Sequence, residues 1–95
     1  MRAYETMYII RPDFDEEKVQ ATIEKYSSLI QNNGGELVKV DPWGKRRLAY
    51  EVKKFHEGYY VLANFKGTQG TPTELERNFK ISDDVIRYLI VKEEE

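Results

Sequence analysis

Residues 36–54 are strand-like for 19 positions, interrupted only by Pro42-Trp43-Gly44. A mean strand has about 5–6 residues, so a segment this long is expected to bend or bulge at the Pro/Gly pair. Proline inside a strand lacks the ladder N–H and is tolerated at an edge or a bulge. The segment is therefore expected at the margin of a sheet, where its far end projects past the body of the domain.

The rest of the chain is arranged around it. Residues 2–11 alternate, with Tyr4, Thr6, Tyr8 and Ile10 on one side and Ala3, Glu5, Met7 and Ile9 on the other. Aromatic and β-branched residues favour a strand there, stopped by Arg11-Pro12. Asp13 and Glu16 have capping-box spacing. After them Val19, Ile23, Tyr26 and Ile30 recur at helical spacing, and Asn32-Asn33-Gly34-Gly35 is a stop signal. Phe55-His56-Glu57-Gly58 is expected to connect a hairpin to a third strand over residues 59–66. Thr71-Pro72-Thr73-Glu74 predicts a second helix, with Thr71 as N-cap and Leu75 and Phe79 as its apolar face. Ser82-Asp83-Asp84 is a turn, and residues 85–92 are the last strand.

The order β-α-β-β-α-β is the ferredoxin-like pattern, an α+β fold with a four-stranded antiparallel sheet and two helices on one face. Right-handed crossovers place strand 3 between strands 1 and 2, and strand 4 on the other side of strand 1. A single domain over residues 1–92 is expected, with Glu93-Glu94-Glu95 as a short acidic tail. If Tyr4, Tyr8, Tyr88 and Ile90 face the helices, Ala3, Met7, Ile9, Leu89 and Val91 look outward. An open antiparallel face is normally polar, so these five form an apolar patch suited to a partner.

Composition narrows the chemistry. There are no cysteines, so no disulfide, thiolate metal site or thiol nucleophile is available. No apolar run approaches the ~20 residues of a membrane span and no secretory h-region opens the chain, which leads to an expectation of a soluble cytoplasmic domain. The lone histidine, His56, falls in the predicted hairpin loop with no nucleophile spaced to use it. The acids Asp13, Asp15, Glu16 and Glu17 suit a helix start better than a metal. The glycines form neither a Walker A loop nor a dinucleotide fingerprint. An acylphosphatase-like site would need a phosphate cradle after strand 1, but Arg11-Pro12-Asp13-Phe14-Asp15 is acidic there. The expectation is no enzyme, no cofactor, no metal and no small-molecule substrate.

The net charge of −2 hides a local asymmetry: three of the 17 acids are the terminal glutamates, and without them 15 bases face 14 acids. Between residues 45 and 54 lie five bases, Lys45, Arg46, Arg47, Lys53 and Lys54, against Glu51 alone. Lys45, Arg46 and Arg47, flanked by Trp43 and Tyr50, combine phosphate contacts with stacking surfaces. A charged edge also protects a sheet against edge pairing, but two arginines favour bidentate binding of phosphate or carboxylate. Arg2, Arg87 and Lys92 extend the footprint from strands 1 and 4. On residues alone, RNA binding and a purely protein-binding module both stand.

Three stretches carry a resemblance: Arg2-Ala3-Tyr4-Glu5 through Ile10-Arg11-Pro12, then Trp43-Gly44-Lys45-Arg46-Arg47-Leu48-Ala49-Tyr50, then Lys80-Ile81-Ser82-Asp83-Asp84 to Val91-Lys92. Together the chain resembles the bacterial small-subunit ribosomal protein S six family over essentially its whole length. The resemblance implies a cytoplasmic ribosomal protein that binds the central domain of 16S ribosomal RNA. It also implies a heterodimer with ribosomal protein S eighteen. Carried over by motif, Arg2, Arg46, Arg47, Arg87 and Lys92, extended by Lys45 and Tyr50, are the implied RNA or interface contacts.

Overall fold

A computed structural model describes residues 1–93. Its elements are β1 (Arg2–Ile10), α1 (Glu16–Asn32), β2 (Glu36–Val52), β3 (Phe55–Gly67), α2 (Gly70–Ile81) and β4 (Val85–Lys92). The sheet order is β2-β3-β1-β4, every neighbouring pair antiparallel. The ferredoxin-like order expected from the sequence is thus observed, with β2 at one edge. The molecule measures 36 × 25 × 23 Å.

β1 supplies the centre because alternation sends Tyr4, Thr6, Tyr8 and Ile10 to the helical side, where all four are buried. Val61 and Phe65 of β3, Val85 of β4, and Val19, Ile23, Tyr26 and Ile30 of α1 close around them, with Leu75 and Phe79 of α2. The Thr6 hydroxyl, fully buried, donates to the Leu89 carbonyl at 2.9 Å, so a polar group in the core is satisfied.

The helix starts differ from the expected caps. Asp15, not Asp13, caps α1, accepting from the Lys18 N–H at 2.8 Å. Asp13 is held by a two-pronged contact with Arg11, at 2.7 and 2.9 Å, a stronger demand on its carboxylate than one amide. α2 begins at Gly70, with Gln69 at the cap position and no side-chain cap. The Thr71 hydroxyl instead accepts from the Thr68 N–H and donates to the Asn33 carbonyl at 2.7 Å, tying the end of α1 to the start of α2. The end of α1 behaves as expected: the Asn33 and Gly35 N–H groups both donate to Ile30.

The hairpin connection lies two residues earlier than the sequence suggests. Lys53 and Lys54, both at positive φ, make the turn, and Phe55 to Gly58 belong to β3. Lysines carry no local turn signature, whereas Gly58 does, which misplaces the turn. Gly58 has another role. A Cβ there would lie 2.4 Å from Ile9 Cγ2 and 3.0 Å from the Ile10 carbonyl. Its absence lets Ile9 lie over β3.

β4 carries one extra residue. Ile10 opposes Val85 and Ile9 opposes Arg87, so Ile86 is bulged. At the start of β4, Asp84 accepts from the hydroxyls of Tyr26 and Ser82, each at 2.6 Å, and from Lys25 Nζ at 2.8 Å. Its carbonyl accepts from the Arg11 N–H at 3.0 Å. Burial works to raise the Asp84 pKa, but the Lys25, Ser82 and Tyr26 hydrogen bonds outweigh it and hold it below the ordinary value. Tyr26, pushed up by burial and by its bond to Asp84, stays a donor. β4 ends at Lys92 as expected, and the next N–H, of Glu93, donates to the Ala3 carbonyl at 2.9 Å. Glu94 and Glu95, the rest of the acidic tail, lie outside the described residues.

Two predictions follow from these contacts. Gly58→Ala must displace Ile9 and is expected to cost about 1–3 kcal/mol in urea unfolding; a variant as stable as the parent contradicts the close approach. Asp84→Asn is expected to cost about 1–3 kcal/mol at pH 7. Because the folded carboxylate pKa is lowered, this stabilisation is present above the unfolded value of about 3.9 and is lost as pH falls through the folded value. The gap between variant and parent should therefore narrow in acid, and a gap independent of pH would exclude the charged form as the source.

Candidate nucleic-acid and partner interface

The segment rich in bases forms the outer half of the β2–β3 arm. Pro42 opposes Val61 and Gly44 opposes Tyr60, so Trp43 is the surplus residue of a bulge. Gly44 sits at φ +85, a conformation that a side chain resists, and this is what the Pro/Gly pair accomplishes. The bulge turns Trp43 over the open face, where its ring stacks on Tyr60 at 6.4 Å and 7°. The Trp43 indole N–H donates to Asp41 at 3.1 Å. The Arg46 guanidinium lies 5.7 Å from the Trp43 ring.

The three cations differ in their engagement. Lys45, opposite Tyr59, leans over that ring at 5.2 Å, with Glu57 4.0 Å away. Arg46 and Arg47 are exposed, and among the described residues neither forms an ion pair. Their guanidinium donors are therefore free for a partner's phosphates or carboxylates. His56 is exposed at the tip of the arm, 3.3 Å from Glu51.

Beyond Arg47 the arm curls back. Leu48, Ala49 and Tyr50 come over the open face and, with Met7, Tyr60, Arg87 and Leu89, enclose a groove of about 290 Å³. The Arg87 guanidinium donates to the Tyr50 hydroxyl and lies 5.1 Å from its ring. Arg87, Tyr50 and the basic triplet are thus brought to one end of the molecule. Arg2 and Lys92 are not. Arg2 opposes Gly67 and Lys92 opposes Tyr4, at the other end of the sheet and on its helical side. Seven steps along β1 separate Arg2 from Ile9, about 23 Å at the usual rise per residue.

The expected outward residues divide in the same way. Leu89 and Val91 are 60% and 45% exposed, and Met7 and Ala3 are half-buried. Ile9 does face outward, opposite Arg87, but is only 6% exposed because it packs on Gly58 with Ile86 close by. It supports the face without being offered to a partner. Sequence reasoning missed Tyr60 and Leu62, which oppose Ile9 and Met7 and complete the patch from β3. Placing strand 3 beside strand 1, as the topology rule already did, would have disclosed them. The far end of the face is of mixed charge: Asn64 donates to Glu5 at 3.1 Å and to Glu93 at 3.0 Å, with Lys39 opposite Asn64 and Lys66 opposite Ala3. The open face therefore runs from cationic and aromatic, through apolar, to mixed charge.

A profile of the family described as Ribosomal protein S6 matches residues 3–92. The chain belongs to that family. It is 57% identical to the small ribosomal subunit protein bS6 of Moorella thermoacetica, over all of this chain and 97% of the other. It is 55% identical to the bS6 protein of Desulfitobacterium hafniense, over the full length of both. The crystal structure of 30S ribosomal protein S6 from Thermotoga maritima superposes with a TM-score of 0.93 at 33% identity, covering 97% of this chain and 87% of that one. The fold alone is shared with the C-terminal domain of the MgtC protein from Mycobacterium tuberculosis, at 20% identity, a TM-score of 0.58, and coverage of 98% of this chain and 88% of that one.

Membership makes this a structural protein of the small ribosomal subunit, part of the ribonucleoprotein that carries out translation in the cytoplasm, and not an enzyme. No described helix is long and apolar enough to cross a membrane. Among the described residues no three His, Asp or Glu side chains gather as a metal site.

Proposed function

We propose that this ribosomal S six family member binds the central domain of 16S ribosomal RNA through Lys45, Arg46 and Arg47, with Tyr50 and Arg87 beside them. It does so as one half of a heterodimer with ribosomal protein S eighteen, which covers Met7, Leu89 and Val91 on the open face. Ala3 and Ile9 border that contact. Arg2 and Lys92, at the other end of the sheet, form a second RNA or interface contact.

The observation that carries this reading is the pair Arg46 and Arg47: both exposed and neither in an ion pair among the described residues, with Arg46 beside the Trp43–Tyr60 stack. A purely edge-protecting charge would need neither the stack nor two arginines. The overall charge of −2 sets the second half of the reading. Few phosphate contacts give weak affinity and a shallow salt dependence, so the chain alone binds RNA poorly and a partner supplies the remaining positive charge.

The test is affinity for central-domain RNA across a salt series, for the chain alone and with ribosomal protein S eighteen. Replacing both Arg46 and Arg47 by Ala should lower the heterodimer's affinity at least tenfold and reduce the salt slope by about 2, near 0.9 per lost phosphate contact. Circular dichroism and unfolding should be unchanged. Undiminished affinity would remove the arm from the RNA site. Tight binding by the chain alone at physiological salt would refute the dependence on a partner.

A further inference from the structure

Between Arg47 and Val52 the pairing of β2 with β3 slips. Arg47 opposes Glu57 whereas Val52 opposes Phe55, so five steps along β2 match two along β3. The surplus is residues 48–51, which have no register partner on β3. They close over the open face, with Leu48 half-buried and Ala49 and Tyr50 exposed. Among the described residues, the Arg87–Tyr50 bond is their one side-chain hydrogen bond to the body of the sheet. Under them, in the same groove, lie Met7 and the largely exposed Leu89.

We propose that residues 48–51 are a flap, latched by Tyr50 and Arg87 over the apolar face of the free chain, and that it lifts when a protein partner takes up that face. This rests on the reading that the open face is the partner's site. The physical case has three parts. A segment without register partners, tied by the exposed Arg87–Tyr50 bond and the exposed Glu51–His56 contact at the tip of the arm, belongs to the least stable part of a fold and opens on its own. Closed, it shields Met7 and shortens the exposed apolar patch of a chain that has to stay soluble before assembly. A partner burying Met7 and Leu89 binds the open state better and shifts the population toward it. Arg11 lies against Phe14 and Phe55, at 5.5 and 5.4 Å, so the turn end of the arm has a contact of its own outside residues 48–51.

Met7 is one of only two methionines, so its ε-methyl can be followed by NMR in the full chain. Tyr50→Phe removes the hydroxyl that accepts from Arg87 but keeps the ring. Arg87→Ala removes the whole latch and leaves Tyr50. Both variants should move the Met7 methyl resonance in the same direction, Arg87→Ala further, and a soluble paramagnetic agent should relax it faster in both. Titration of the parent chain with ribosomal protein S eighteen should move the resonance away from its free position as the flap lifts. A Met7 methyl unaltered in position and accessibility in both variants overturns the latch. A heterodimer in which Met7 keeps its free-chain resonance overturns the lifting. If no heterodimer forms, the pairing proposed above fails, and with it the lifting, while the two variants still report on the latch.

Discussion

Tyr8 is the point at which four elements meet. Its ring lies 5.4 Å from Tyr26 of α1 and 5.2 Å from Phe79 of α2, and those two rings are 4.7 Å apart. Phe79 in turn stacks on Tyr88 of β4 at 5.0 Å. Each aromatic ring buries a large apolar area, and tilted or offset pairs add to that. Because Tyr8 stands in the central strand, this cluster sets where both helices lie against the sheet. The Tyr26 hydroxyl then reaches Asp84, so a carboxylate at the edge of the core fixes the α2–β4 junction. With one face of the sheet anchored so completely, the other face is free to be used.

What that free face becomes depends on irregularity in the outer strands. β1 and β3 pair without a slip along their shared length, whereas β2 slips three times and β4 once. Each slip changes which side chain points where, because side-chain direction alternates along a strand. The slip at Pro42 and Gly44 turns Trp43 onto Tyr60. The slip after Arg47 sends Tyr50 back toward Arg87. The bulge at Ile86 sets Arg87 opposite Ile9. The cationic and aromatic end of the open face is assembled by these departures from regular pairing.

Much of this was legible in the chain itself. The alternation Tyr4, Thr6, Tyr8, Ile10 names the buried row of β1, and the order of elements names the topology, since handedness leaves few arrangements. Arg46, Arg47 and Trp43 stand out by type and proximity. Other features were hidden because competing contacts decide them. Asp13 looks like a cap but Arg11 claims it; Thr71 looks like a cap but the Asn33 carbonyl claims it. The turn at Lys53-Lys54 carries no turn chemistry, so Gly58 drew the assignment although its small size serves the contact with Ile9.

The sequence by itself determined the secondary-structure order, the inward rows of β1 and β4 and the local excess of base over acid. All three depend on nearest neighbours and on periodicity, which are properties of the chain alone. The tertiary structure alone decided that Arg87 and Tyr50 join the basic triplet while Arg2 and Lys92 lie at the far end. It also decided that Ile9 is covered and that Tyr60 and Leu62 complete the apolar face. Those outcomes depend on strand register and bulges, and register is fixed by packing between segments distant in the sequence, which no local pattern records.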